Sequence, residues 1–263
     1  MKQIIKRGSF LTLMFLLLGC LSLYAADNDL ITRQITIELE KAGTLPDRIA
    51  SSRKYKITNL KSIGEINGTD LSMIREMAGS NSTGRPTDGK LSVLDLSEAK
   101  IVEGGDYYYK KDKYTSNYYY TSNDVIGSYA FQDCYGLTSL TLPAGITSIG
   151  SSAFRGCSGL TSIYVYAEKI PKIGGCVFEG FDAKKCTLYV PMGTCDDYWI
   201  SDFGDYFENI VEFDVTGIDK TTTSTDVEEV ARYSVNGQRL SAPTKGLNIV
   251  RYSDGSVKKV TVR

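Results

Sequence analysis

The residues in this chain that could do chemistry are its cysteines, carboxylates and tyrosines, and none of them has an imidazole to work with, because the histidine count is zero. That removes Ser-His-Asp and Cys-His nucleophiles, zinc sites built on imidazole, and the usual proton shuttle near neutral pH. Carboxylate-pair hydrolysis survives only by default. Asp106, Asp112, Asp196, Asp197, Asp202 and Asp205 form no facing acid pair in the sequence, nor the Asp-x-Asp-x-Asp-Gly spacing of a calcium loop. They read as solvated charge. No metal, no other cofactor and no enzymatic activity are expected.

The six cysteines are Cys20, Cys134, Cys157, Cys176, Cys186 and Cys195, with no Cys-x-x-Cys spacing for a metal cluster. Cys134 and Cys157 occupy equivalent positions of a repeat. They should stack about 5 Å apart, as small apolar residues of a buried ladder rather than as a disulfide. Cys186 and Cys195 flank a turn at Met192 and Gly193 and are the better candidates for a bridge. The eighteen tyrosines are unevenly placed. Tyr107, Tyr108 and Tyr109 face Tyr118, Tyr119 and Tyr120 across a polar centre, as the two arms of a β-hairpin would, with alternation sending about half the rings to each side.

The elements that position these residues come from a repeat. Ile126 to Leu142 and Ile149 to Val165 are one phrase written twice, 23 residues apart: Gly127/Gly150, Ala130/Ala153, Phe131/Phe154, Cys134/Cys157, Leu137/Leu160 and Leu140/Ile163 all match. A period in the twenties with a Leu-x-x-Leu-x-Leu kernel is the mark of a leucine-rich-repeat solenoid, one coil per copy. Leu91, Leu94 and Leu96 restate the kernel 46 residues before Leu140, twice the period. The stretch between does not read as a coil, so residues 103–122 are taken as an insertion within one turn. A third copy drifts through Ile173, Phe178, Leu188 and Val190. Trp199, Phe203, Tyr206 and Phe207 then plug the last coil.

At the other end, Gln34 to Leu39 alternates as a half-buried strand, and Thr44 to Ile49 begins a short helix. Lys56 to Leu60 is a further strand. Asn67 to Gly79 is a helix with Asp70 at its start and Leu71, Ile74 and Met77 on one face. These elements would cap the first coil. The expected fold is therefore α/β to mainly β: a short right-handed coil with N- and C-terminal caps, plus a small C-terminal β module.

Residues 1–26 read as a signal peptide, with Lys2, Lys6 and Arg7 before an apolar run from Phe10 to Leu23 and small residues at Ala25 and Ala26. Leu18-Gly19-Cys20 also resembles the end of a lipobox, so a lipid at Cys20 is the alternative route to the membrane. Either way the protein is exported. Without residues 1–26, 27 basic residues stand against 31 acidic ones, too mild a balance to imply nucleic acid. The solenoid with its caps occupies 27–216, its clean repeats 126–165; 217–226 is a polar linker; 227–263 is a basic hairpin module with turn signals at Asn236-Gly237 and Asp254-Gly255.

The Ile-Gly-x-x-Ala-Phe-x-x-Cys-x-x-Leu-x-x-Leu-x-Leu-Pro phrase, with Ile146 and Ile149 following, resembles the BspA-type leucine-rich repeat of bacterial surface proteins over about residues 91–191. The resemblance implies an exported or surface-displayed protein of a Gram-negative, Bacteroides-like bacterium, and a role in adhesion to matrix proteins or other cells. The family has no enzymatic residues to carry over. The tail resembles the C-terminal sorting modules of the same bacterial group.

A solenoid offers a long surface rather than a deep pocket. Period two along each strand turns out Val93/Asp95/Ser97, Ser139/Thr141/Pro143, Ser162/Tyr164/Tyr166 and Thr187/Tyr189/Pro191. The candidate ligand-binding residues are Thr141, Tyr164, Tyr166 and Tyr189 on this face, and Tyr107, Tyr109, Tyr118 and Tyr120 on the insertion. Exposed tyrosines beside small hydroxyl residues suit an extracellular protein or glycan, met by a monomer. The competing readings are a structural spacer without a specific ligand and a carboxylate-dependent glycan hydrolase.

Overall fold

The computed structural model describes residues 30–111, 117–167, 169–215, 229–235, 237–252 and 256–262. The segments expected to be a signal peptide and a linker, Asn236, and Asp254 with Gly255 lie outside the described residues, as does the centre of the insertion.

The chain enters through β1 (Ile35–Leu39), a four-residue helix α1 (Leu45–Arg48) and β2 (Asn59–Ile66), which runs parallel to β1. Thr44 does not cap α1 with its side chain; its hydroxyl donates to Lys41 O. The organising residue is Asp70, on the first turn of α2 (Gly68–Met77). Its carboxylate accepts from Asn67 N–H at 2.9 Å, closing a capping box, and also from the N–H groups of Gly43 and Leu45. One buried side chain thus ties the N-terminal cap to the helix. Leu71, Ile74 and Met77 face the core as their spacing requires, and Gly79 leaves the helix at φ +100°.

Next come β3 (Val93–Asp95) and β4 (Ala99–Ile101), both parallel to β2. The insertion is the hairpin β5 (Gly104–Lys110) and β6 (Tyr118–Thr121), antiparallel as expected. Then each coil lays down two strands. β7 (Val125–Ile126), β9 (Ser148–Ile149) and β11 (Lys172–Ile173) make a narrow parallel sheet. β8 (Ser139–Thr141), β10 (Ser162–Tyr164) and β12 (Thr187–Pro191) join the main one. Leu94 is the register partner of Leu140, Leu140 of Ile163, and Ile163 of Leu188. The 46 residues between the first two are therefore a single coil with a hairpin inserted.

Inside the stack Phe131, Phe154 and Phe178 lie ring on ring with 5.7 Å between successive centroids. At the strand entrances a hydroxyl ladder runs coil to coil: Ser92 donates to Thr58 O, Thr138 to Ser92 O, and Thr161 to Thr138 O, each near 3 Å. Between the two strands the chain turns through left-handed residues at repeating places, Tyr129, Ser152 and Cys176 at one and Asp133, Gly156 and Gly180 at the other. Gly150 is required for a different reason, since a Cβ there would run into the backbone of Ser128 in the preceding coil.

The stack closes with α3 (Cys195–Ile200), a 3-10 turn (Asp202–Asp205) and β13 (Asn209–Phe213), parallel to β12. Phe203 and Phe207 are buried and Trp199 is 7% exposed, with Phe203, Tyr206 and Phe207 all against the ring of Phe178. This is the plug the sequence led one to expect. The tail does not stand apart from it. Its strands β14 (Glu229–Ser234), β15 (Arg239–Leu240), β16 (Gly246–Tyr252) and β17 (Ser256–Val262) are antiparallel to one another, and β17 adds antiparallel to β13. The main sheet is thus mixed, parallel through the coils and antiparallel in the tail.

Candidate functional site

On the main sheet Leu94, Leu140, Ile163, Leu188 and Ile210 point in and are 0–1% exposed, so the residues between them point out. Register makes one row of Asp95, Thr141, Tyr164, Tyr189 and Val211. Tyr164 and Tyr189 stack with centroids 4.3 Å apart and an interplanar angle of 7°. Two residues further along the chain, Tyr166 meets Phe213 edge to face at 4.9 Å, and Phe213 meets Tyr164 in the same way at 5.7 Å. Thr141, Tyr164, Tyr166 and Tyr189 are therefore brought together, all half-buried. Phe213 belongs with them, although the repeat is too degenerate by then to mark it. The signal was period two counted from the buried Ile210. Pro143 and Pro191, expected on this face, are buried instead. Pro191, last in β12, is the register partner of Phe213.

The other end of the row is charged. Lys61 Nζ lies 2.6 Å from Glu98 and 3.4 Å from Asp95, and the side chains of Lys61 and Asp95 are each 21% exposed. The hydrogen bond from Lys61 to Glu98 holds the ammonium above its ordinary range. Asp95 also accepts from Ser97 N–H at 2.8 Å. Lost hydration raises the Tyr164 phenol, and Tyr189 raises it further. Burial raises Tyr166 too, with Asp95 adding to the shift and Lys61 opposing it. The phenols stay protonated, so each can donate and accept at its tip.

The hairpin tyrosines divide. Tyr118 and Tyr120 are 39% and 54% exposed, and Tyr107 packs edge-on against Tyr118 at 4.8 Å. Lys110 lies over the Tyr118 ring and donates to its hydroxyl. Tyr109 is only 4% exposed, stacked on Tyr129 with the Arg75 guanidinium 4.9 Å from its ring centroid. Its ring is a packing element, which corrects its place among the candidate ligand contacts. The adjacent Tyr108 is buried as well, donating to Ser128 O at 2.8 Å. Strict alternation fails here because the β5–β6 register shifts between Gly104 and Tyr109. The hairpin packs on α2 and on the turn through Tyr129, a different side of the coil from the Tyr164 row, so the two tyrosine groups are separate surfaces.

Arg75 carries no mark in the sequence that would single it out. Fully buried, its guanidinium donates to the carbonyls of Tyr129, Ala130, Asn81 and Gln132 and to the Ser80 hydroxyl, all at 2.9–3.3 Å. It joins the end of α2 to the first full coil. The five described cysteines are free. Cys134 and Cys157 are fully buried, as an apolar ladder requires, and Cys157 Sγ donates to Phe131 O. Cys186 and Cys195 do not form the expected bridge; each is a buried thiol whose sulfur lies near a different backbone carbonyl. Among the described residues no three His, Cys, Asp or Glu side chains come close enough to hold a metal.

Fold and surface together describe a β-rich repeat protein in which successive coils present a continuous face. A family model described as the BspA type leucine-rich repeat region matches residues 105–233 in six copies, which supports a BspA-like leucine-rich-repeat protein. The match begins inside the hairpin and reaches β14, so it omits the Leu91–Leu96 kernel and extends past Pro191, where the sequence resemblance stopped. No curated protein matches the chain. Repeats of this type are typical of surface or secreted proteins, point to protein interaction or adhesion, and are generally non-enzymatic.

Proposed function

We propose that this chain is an exported, non-enzymatic adhesin-like solenoid of a Gram-negative, Bacteroides-like surface. It binds an extracellular protein or glycan as a monomer, through Tyr164, Tyr166, Tyr189 and Thr141, joined by Phe213. Tyr107, Tyr118 and Tyr120 on the hairpin form a second, smaller contact surface. The observation that carries this reading is the outward Tyr164–Tyr189 stack with Phe213 edge-on to it. Stacked rings held by a rigid sheet offer a ligand a large contact area at little cost in side-chain entropy.

The test is saturable binding of the mature protein to immobilised matrix proteins and to a glycan array, compared with Tyr164→Ala, Tyr189→Ala and a Tyr118→Ser/Tyr120→Ser double variant. The expected result is at least tenfold weaker binding for the sheet-face variants, with melting temperatures unchanged. Wild-type binding by all three would overturn the proposed site. No saturable partner in either panel would leave the coil as a spacer.

A further inference from the structure

Tyr189 covers one side of Tyr164, and among the described residues no second ring stacks on the other. Because Tyr164 and Tyr189 are parallel to within 7° at close to the spacing of adjacent strands, the normal to the ring lies along the ladder. The opposite face of Tyr164 therefore looks toward β8, where the row continues with Thr141, a small side chain. Beyond Thr141 the row reaches Asp95 on β3. Two strand spacings, about 9.5 Å, separate the Tyr164 strand from the Asp95 strand. Register thus defines a slot one coil wide, with the Tyr164 ring on one side, Thr141 and Ser139 of β8 as its floor, and the Asp95 carboxylate, 21% of its side chain exposed, on the other; the Tyr166 phenol borders it, near enough to feel the Asp95 charge.

We infer that this slot takes one pyranose ring of a neutral glycan, an assignment that rests on the sheet face being the binding surface. The three surroundings match three parts of a sugar. The negative π-face of Tyr164 attracts the polarised C–H groups of one sugar face at about 4 Å. On the far side, a sugar hydroxyl donates to Asp95 at about 2.7 Å. Asp95 has acceptor positions to spare, since Ser97 N–H and Lys61 use only part of its capacity. The floor hydroxyls both donate and accept. An aliphatic or proline side chain of a peptide would fit the aromatic wall but would leave the hydroxyl floor and the carboxylate without partners. A uronate or sialate would bring its own carboxylate against Asp95, which selects for a sugar without acidic substituents.

The experiment uses the mature protein and a panel of neutral hexose and N-acetylhexosamine oligomers, with oligogalacturonate as the acidic counterpart, read by calorimetry and saturation-transfer NMR. Thr141→Tyr fills the slot by stacking on Tyr164 without altering either wall residue, and Asp95→Asn removes the charge but keeps the shape. The expected results are saturable binding of a neutral oligomer, its loss in Thr141→Tyr, and at least fivefold weakening in Asp95→Asn with the preference over oligogalacturonate reduced. No binding of any neutral oligomer, or binding indifferent to both variants, would overturn the assignment. A protein ligand lost in Tyr189→Ala but retained in Thr141→Tyr would sink the sugar slot and leave the sheet face standing. Indifference to Tyr164→Ala and Tyr189→Ala for every ligand would sink both.

Discussion

Arg251 and Glu212 meet at 2.9 Å across 39 residues of chain, and Glu212 is far the more buried, with 4% of its side chain exposed against 38%. The same carboxylate accepts from Gly193 N–H at 3.0 Å and Cys195 N–H at 3.1 Å, at the start of α3. Plug and tail thus share one anion, and Lys259 adds a bond to Gly204 O while lying over the Trp199 ring. Glu212→Ala orphans two N–H groups and a cation, and should cost about 3 kcal/mol. Arg251→Ala, at the rim, should cost about 1 kcal/mol or less. Thermal melts rank the two, and limited proteolysis should release residues 229–262 faster in both. Equal losses would mean that the shared anion is not the joint.

Among the described residues no carboxylate pairs with Arg75; backbone carbonyls and the Ser80 hydroxyl solvate its charge, beneath the ring of Tyr109. An ammonium cannot reproduce the planar fork. Arg75→Lys should therefore destabilise by about 3 kcal/mol, nearly as much as Arg75→Met. Urea denaturation checks this, and a Lys variant as stable as the parent would refute the need for the fork.

Two glycines one coil apart give a controlled comparison. Gly150→Ala forces a methyl against Ser128 of the neighbouring coil, whereas Gly175 has nothing within 4 Å of an added Cβ. The first should lose about 1–3 kcal/mol through strain between coils. The second should stay within about 0.5 kcal/mol. If differential scanning calorimetry finds the two alike, close coil contact is not what fixes glycine in the repeat.

Stability should fall on the alkaline side. Burial raises the thiols of Cys134 to about 11 and of Cys186 and Cys195 to about 12, with Cys157 also well above its ordinary value. An unfolded thiol ionises near about 8.5. The folded state holds these protons longer than the unfolded one, so the stabilisation is complete below that value and is lost as the pH rises toward the folded values. With no histidine to titrate, melting temperature should be flat between about pH 6 and 8 and decline steadily above about 9. Cys157→Ala should make the alkaline decline shallower. A protein that melts at one temperature from pH 7 to 11 would contradict this account.

The kernels were legible because burial enforces them. Leu94, Leu140, Ile163 and Leu188 repeat with a period that only stacked coils explain, and the Tyr164–Tyr189 contact follows from that register by arithmetic. The rest depended on interactions that leave no period. The β5–β6 register shift buried Tyr108 and Tyr109 together, where alternation would have separated them. Arg75 looked like any charged residue near a helix end, since its partners are carbonyls that every residue carries. Phe213 escaped because the strand carrying it follows the plug and not the repeat. The tail has the sequence of a separate module because its hairpins are local, while the β13–β17 pairing joins residues nearly 50 positions apart.

Asp95 and Tyr164 are held apart by whole coils, not by loops, so the distance between them is counted in strands. Duplicating one 23-residue unit between β8 and β10 would move the two residues apart by one further strand, about 4.8 Å, and leave both side chains and their local supports as they are. Unequal crossing-over within the gene would then act as a gauge adjustment, changing the gap between Asp95 and Tyr164 in fixed increments without a point mutation at either residue.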